Sequence, residues 1–354
     1  MTLLLSLTGK KTILSFIFLC AKFAIGFSQD PPKIYVANKA IDDLTIDGKP
    51  DEASWEKAAW SELFIDIEGK RKPSYDTRMK MTWDDQNLYL YAQLSEPHIW
   101  ANLKERDTII FYNNDFEIFI DPDGDTHNYY EFEMNALNTI WDLFLSKPYR
   151  NQGKILGGWD FKGLKSAVHI QGTLNDASDV DKGWSVEVAI PWSFDTEPGG
   201  KTKIPKNEYW RINFSRVNWN FGLLDKRYSR KKDKAGNFLP EYNWVWSPQG
   251  VINMHEPERW GYVYFSEDTG GLANFSIPRD EHIKWYLYEQ YRKIRSDKNK
   301  PHVHRQSVIS PAIIFGHKIS AIVEEHISGW NIWVKSPFTN SILVIENDGK
   351  FKSH

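Results

Sequence analysis

The chain has 354 residues, of which 41% are hydrophobic, 26% charged and 15% aromatic, and its formal net charge is -3. That composition excludes a disordered or low-complexity chain and is enough for one large folded domain or two small ones. With 47 acids against 44 Lys and Arg, it also excludes a surface built to grip a nucleic-acid backbone.

Residues 1–28 read as a signal peptide. Lys10 and Lys11 precede an apolar run from Thr12 to Phe27, and Gly26-Phe27-Ser28 offers small residues for a cut before Gln29. The run is too short for a transmembrane anchor. Cys20 is the single cysteine and leaves with this segment. The exported chain then has no disulfide, no thiol nucleophile and no thiolate ligand. It is expected in the periplasm, outside the cell or on its surface.

Residues 29–268 read as a succession of short strands. "LYLYAQL" (88–94), "FEIFID" (116–121), "YYEFEMNAL" (129–137), "IWDLFL" (140–145), "AVHIQGTL" (167–174), "WSVEVAIPW" (184–192), "YWRINFSRV" (209–217) and "GYVYF" (261–265) are aromatic or β-branched runs separated by Gly, Asp, Asn and Pro. Several alternate with period two, as half-buried strands do. The pattern predicts a mainly β chain, an antiparallel β-sandwich of jelly-roll type. Residues 269–354 form an appendage. Ile283, Leu287, Tyr291 and Ile294 recur at helical spacing over 280–298, and "KISAIVEEHISGWNIWVK" and "SILVIENDGKFK" read as two or three strands. This tail either docks on the main domain or binds a partner.

The stretch "NNDFEIFIDPDGDTHNYYEFEMN" (113–135) concentrates the chemistry. Phe116, Ile118 and Ile120 share one face of their strand, opposite Asp115, Glu117, Phe119 and Asp121. On the next strand Phe132, Met134 and Ala136 oppose Glu131, Glu133 and Asn135. Pairing across the turn brings Glu117 near Glu131 or Glu133. Three readings of this polar face stand open: a catalytic carboxylate pair, a sugar-binding face in which acids and amides meet hydroxyls, and a plain solvated face. In the turn, Asp121, Asp123 and Asp125 alternate around Gly124, which is half of a calcium loop; a bare Asp-Gly turn is the alternative. His127 and His255 have no partner at metal-ligand spacing.

"TIDGKPDEASWEKA" (45–58), "WDDQNLYLYAQLSEP" (83–97) and "NDFEIFIDP" (114–122), in this order and spacing, resemble the family 9 carbohydrate-binding modules. They are more similar still to the exported family-9-like proteins of polysaccharide-degrading bacteria. "GWSVEVAIPW", "WRINFSRVNW" and "NWVWSPQGVINMHEPERWGYVYF" fit the same family, so the resemblance covers about 35–266. It implies a β-sandwich that binds sugar and often carries structural calcium. The family clamps a terminal sugar between two tryptophans; here those positions are Phe111 and Met254, flanked by Tyr112 and His255. Glu117 matches the family's sugar-contacting carboxylate. The family's arginine on the next strand falls at about Glu133, and Arg216 is either its replacement or the partner of a buried acid. Trp100, Trp141, Trp159 and Trp219 are the alternative stacking platforms.

The resulting expectation is an exported, non-catalytic protein that binds an oligo- or polysaccharide through Trp100, Phe111, Tyr112, Glu117, Glu133, Asn135, Trp141, Arg216, Met254 and His255, with calcium at Asp121, Asp123 and Asp125. Two alternatives differ in class. One is a glycoside hydrolase using Glu117 and Glu133. The other is a haem-binding sandwich for electron transfer, for which Met134, Met254, His127 and His255 are the candidate ligands.

Overall fold

Runs that alternate between apolar and polar residues become strands, and the apolar sets turn inward. The computed structural model describes residues 31–195, 202–269, 271, 273–296 and 306–354. The expected signal peptide lies outside these residues. In chain order the main body contains β1 (Ile34–Lys39), helix α1 (Ala53–Lys57), β2 (Ile65–Asp66), β3 (Thr77–Trp83), β4 (Asn87–Ser95), β5 (Asp115–Asp121), β6 (Tyr129–Asn135), β7 (Ile140–Leu145) and β8 (Ile155–Leu156). It continues with β9 (Lys165–Gln171), β10 (Gly183–Pro191), β11 (Tyr209–Asn218), β12 (Phe221–Leu224), β13 (Arg227–Arg230), β14 (Tyr242–Val245) and β15 (Gly261–Ser266).

One long sheet carries most of these strands in the order β8-β7-β6-β5-β11-β15-β1-β3-β4-β10-β9, with β14 beside β11 and β2 beside β14. It curls so that its two halves face each other. Met81, Leu90, Val188 and Ile190 from one half meet Phe116, Ile118, Phe132 and Phe214 from the other in a single core. The architecture is therefore the expected sandwich. The expectation of purely antiparallel pairing needs one correction, because β1 runs parallel to both β15 and β3. Parallel neighbours need long connections. Here the chain between β1 and β3 passes through α1 and β2, and β15 arrives from the far end of the main body. Trp83 locks this seam, its indole Nε1 donating to the carbonyls of Ala37 and Ser266 at 3.0 and 3.1 Å.

The aromatic surplus is mostly core. Trp83, Trp184, Trp192, Trp210 and Trp246 are all buried in the central cluster. The "TIDGK…SW" stretch is a staple of the same kind. Trp55 Nε1 donates to Glu187 Oε1 at 2.9 Å, and the other oxygen of Glu187 accepts from the backbone N–H of Asp47 and Gly48. Gly48 has φ +87° and lies so close to His169 that a Cβ would meet its backbone nitrogen at 2.7 Å, so only glycine fits.

The tail is α2 (Arg279–Ser296) with β16 (Gln306–Val308), β17 (Ala312–Ile314), β18 (His317–Ile319), β19 (Ile322–His326), β20 (Gly329–Lys335), β21 (Ile342–Glu346) and β22 (Phe351–Ser353). Five strands make a sheet in the order β16-β19-β20-β21-β22. Ile283, Leu287 and Tyr291 of α2 pack on Ile332 and Ile345 of that sheet, as the helical spacing predicts. The tail docks on the main body. Glu281 accepts from Tyr262 (2.6 Å) and pairs with Arg211 (3.3 Å), while Arg292 reaches Glu256 and Glu258. Residues 31–354 form one compact unit. Among the described residues, no helix is long and apolar enough to cross a membrane.

Candidate functional site

Strand register builds the site. Glu117 on β5 lies opposite Glu133 on β6 and opposite Ser215 on β11. Asp115 faces Asn135, Phe119 faces Glu131, and Trp141 on β7 faces Glu133. All of these point to the outer face of the sheet, away from the central core. A solvated face is the simplest expectation for such a row, but every residue of β5 and β6 is buried. Asp115 is 0%, Glu117 5%, Glu131 5% and Glu133 2% exposed. The face is wet by pattern only, because distant segments cover it. Met254 packs with Phe119, Tyr129 and Leu143 in a second apolar cluster on this side. His255 follows it, its Nδ1 2.9 Å from the Tyr129 hydroxyl and its Nε2 4.0 Å from Glu131. The turn Ile110–Tyr112 caps the other end, the Phe111 N–H donating to Glu133 Oε2 at 3.0 Å.

Four carboxyl groups thus share a dry space. Burial raises the pKa of Asp115, Glu131 and Glu133 well above the ordinary carboxylate range, and mutual repulsion among the acids adds to the rise. Burial pushes Glu117 up to about 7, the nearby Ser215 hydroxyl pulling the other way. Burial and the charge of Arg150 lower His255 to about 3, so it is neutral and supplies no counter-charge at neutral pH. The arginines of the neighbouring segments are engaged elsewhere. Arg216 pairs with Glu96 at 2.6 Å, Arg211 with Glu281, and Arg150 with Glu256 and Glu258.

Two aromatic side chains border these acids: Tyr149 is 42% exposed and Trp141 is half-buried. Tyr149 stacks edge-on with His255 at 4.3 Å, and Glu131 and Glu133 act on its hydroxyl. Flat apolar faces beside buried acceptors can hold a sugar ring by stacking and its hydroxyls by hydrogen bonds.

Carbohydrate family 9 binding domain-like is the family whose model matches residues 46–237, more than half of the chain. The protein belongs to this family. Among curated relatives, the exoglucanase XynX of Acetivibrio thermocellus is 27% identical over 114 residues and the endo-1,4-beta-xylanase A of Thermoanaerobacterium saccharolyticum 27% over 121 residues. These alignments cover 32% and 34% of this chain but only 9% of each relative. Among solved structures, a family 9 module of Caldicellulosiruptor kristjanssonii in complex with cellotriose covers 70% of this chain and 100% of its own, at 15% identity and a TM-score of 0.42.

In this family 9 domain the residues predicted for sugar contact divide in two. Glu117, Glu133, Trp141, Met254 and His255 gather around the acidic face. Phe111 reaches it only through its backbone N–H, its ring packing with Trp100 and Trp219, and the Tyr112 ring lies against Phe111 and the Arg230 guanidinium. Trp100, Asn135 and Arg216 do not serve it. Trp100 is 2% exposed and stacks on Tyr228 in a separate cluster, so no ring can reach it. Asn135 spends its amide locally: its Oδ1 accepts from Leu137 and Thr139, and its Nδ2 donates to Leu103 and Asn113. Arg216 alternates with Ser215 and Val217 and therefore points to the opposite face, where it also binds Thr77 and the Ser95 carbonyl. Trp219 is buried beside Trp100, and Trp159 packs on Tyr130 and Phe161 of the core side. The four haem candidates fall in three places, with Met134 in the central core, Met254 and His255 on the outer side and His127 against Asp348. Tyr149 was not singled out from sequence. Its signal is weak, a lone tyrosine in the "KPYRN" loop.

The aspartate turn is differently supplied. Asp121 accepts from the backbone N–H of Gly124 and Thr126 at 2.9 Å each, and Asp125 from that of His127 at 2.7 Å. The tail adds cations: Lys350 pairs with Asp125 at 2.9 Å, and the Lys284 ammonium donates to the Gly124 carbonyl. The three acids do bring one oxygen each within 4.8 Å of the others, so the turn keeps the spacing of a calcium loop. Lys284, Lys350 and backbone N–H groups meet part of its charge, while burial and the neighbouring Asp123 and Asp125 still raise the Asp121 carboxyl well above the ordinary range.

Proposed function

We propose that this protein is an exported, non-catalytic saccharide-binding protein whose ligand lies against the acidic face bordered by Trp141, Tyr149 and His255. The observation that carries the reading is the placement, inside a chain of a carbohydrate-binding family, of the Tyr149 and Trp141 rings beside the buried acceptors Glu117, Glu131 and Glu133. The signal peptide expected over residues 1–28 supports export to the periplasm, the surface or the medium. The names of the curated relatives make glucan and xylan oligosaccharides the first glycans to try. With Phe111 and Met254 at the family's clamp positions, stacking falls to Trp141 and Tyr149 at the rim. Calcium at Asp121–Asp125 remains part of the proposal only as a competitor of Lys284 and Lys350.

Calorimetry of the folded protein against cellotriose, xylotriose and longer oligosaccharides tests this, with product analysis of the same mixtures. Binding without turnover is expected, weakened at least roughly tenfold by Tyr149→Ala, since loss of a stacking face costs on the order of 1–3 kcal/mol. Absence of binding to every glycan sinks the saccharide reading. Release of shorter sugars, abolished by Glu117→Gln and Glu133→Gln, replaces it with a hydrolase.

A further inference from the structure

We propose that Asp115, Glu117 and Glu133 form a binding site for a single hard divalent cation, of the calcium class, at the floor of the acidic face. One carboxylate oxygen from each of the three lies within 4.8 Å of the other two. Oxygens on opposite sides of a calcium ion are about 4.6–5.2 Å apart, because each sits at about 2.3–2.6 Å from the metal. The three donors are therefore spaced within the reach of one ion.

The space shows unmet demand. Asp115 is 0% exposed, and while its Oδ1 accepts from the Val217 N–H at 3.2 Å, its Oδ2 has no hydrogen-bond partner. Ser215, also 0% exposed, lies directly across from Glu117 and adds a hydroxyl oxygen to the donor set. A buried, unpaired carboxylate oxygen is costly unless a proton or a cation meets it. The charge balance points the same way, since the guanidiniums of Arg150, Arg211 and Arg216 are paired with other acids. The donor set consists of carboxylate and hydroxyl oxygens, which select calcium, magnesium or manganese over softer metals. Mixed Asp and Glu arms of unequal length suit the flexible coordination of calcium better than the strict octahedron of magnesium.

The site shares Glu117 and Glu133 with the proposed saccharide face, but it stands on its own geometry and its test contains no glycan. The full chain, stripped with a chelator, is titrated with CaCl2 by calorimetry and with terbium by luminescence excited through tryptophan. Trp141, the register partner of Glu133, is the nearby donor. One site is expected in the unaltered protein, weakened at least roughly tenfold by Asp115→Asn and by Glu117→Gln and unchanged in Asp123→Asn. Calcium is also expected to raise the melting temperature of the unaltered protein but not of Asp115→Asn. Near-ultraviolet circular dichroism checks folding, and Glu133→Gln replaces a variant that does not fold. Folded protein that binds neither ion overturns the proposal. So does binding that survives both Asp115→Asn and Glu117→Gln, or that is lost in Asp123→Asn alone, which moves the ion to the turn.

Discussion

Two groups of acids occupy the outer side of the same hairpin, and the protein treats them in opposite ways. At the turn, Asp121 and Asp125 accept backbone N–H bonds and receive Lys284 and Lys350 from the tail. In mid-strand, Asp115 and Glu133 each accept one N–H bond, and Glu117 faces Ser215. The cause is local geometry. A turn leaves N–H groups free to fold back on an aspartate side chain, whereas a strand spends its own N–H groups on the ladder. The group that spells a calcium motif in sequence thus draws lysines and N–H groups from within the chain, although burial and its neighbours still raise Asp121. The group that spells an ordinary wet strand is buried, and among the described residues no Lys or Arg pairs with Asp115, Glu117 or Glu133. A count of acids is not a measure of demand for a cation; the count of partners is.

The largest way to break this contrast is to disturb the clamp that brings the tail to the turn. Glu258 is 4% exposed and pairs with both Arg150 and Arg292. Glu258→Ala leaves two guanidiniums facing a buried gap, with only Glu256 beside them. A loss of about 3–5 kcal/mol is expected from chemical denaturation, the range for breaking a buried pair on one side. A loss under about 1 kcal/mol would mean that Glu256 alone holds the clamp.

Acid acts on the same group without mutation. Burial pushes Glu258 up, but the charges of Arg150 and Arg292 outweigh it and hold its pKa down at about 2. A depressed carboxyl contributes stability that is complete above its unfolded value of 4.5 and is lost as pH falls toward 2. Glu281, against Arg211 and Lys284, is shifted the same way. Denaturation midpoints should therefore fall steeply between about pH 4.5 and 2, by an amount on the order of 3 kcal/mol for Glu258. In Glu258→Gln that part of the slope should be absent; a slope unchanged in Glu258→Gln would assign it to other acids.

Parts of this arrangement were legible and parts were not, for physical reasons. The period-two alternation of Phe116, Ile118 and Ile120 against Asp115, Glu117 and Phe119 reads directly into the sheet, and with it the opposition of Glu117 and Glu133. The helix of the tail reads equally well from Ile283, Leu287 and Tyr291. Arg216 was readable only as two options, and its strand parity with Phe214 decides for the buried partner, Glu96. Coverage of the outer face is non-local. Met254 and His255 arrive from more than a hundred residues away, and Lys284 and Lys350 from further still. No local pattern marks a strand face as dry when the segments that dry it lie so far along the chain. The parallel placement of β1 fails for the same reason, since neither of its neighbours is joined to it by a hairpin.

A smaller perturbation acts at the turn itself. Lys284 is 2% exposed, with its ammonium over the Phe351 ring at 4.3 Å and 3.6 Å from Glu281. Gly124 is required beside it: φ is +65°, and a Cβ there would lie 3.1 Å from Arg211 and 3.4 Å from the Lys284 ammonium. Lys284→Met keeps the packing and removes the charge, leaving Glu281 with Arg211 and Asp121 with its N–H bonds. A loss of about 2 kcal/mol is expected. Added calcium should recover part of that loss in this variant, because the turn then has the unmet charge that the mid-strand acids have in the unaltered protein. No recovery would mean that the backbone N–H groups alone satisfy Asp121.

The smallest effect belongs to Lys350. It pairs with Asp125 at 2.9 Å, but its side chain is 31% exposed and water competes for both partners. Asp125 keeps its bond from the His127 N–H whether or not the lysine is present. Lys350→Ala should therefore cost under about 1 kcal/mol, with the difference shrinking further in 1 M salt as screening removes what Coulomb energy remains. If the cost instead exceeds that of Lys284→Met and persists in salt, the exposed lysine rather than the buried one is what spares the turn its metal, and the division of labour between the two must be reversed.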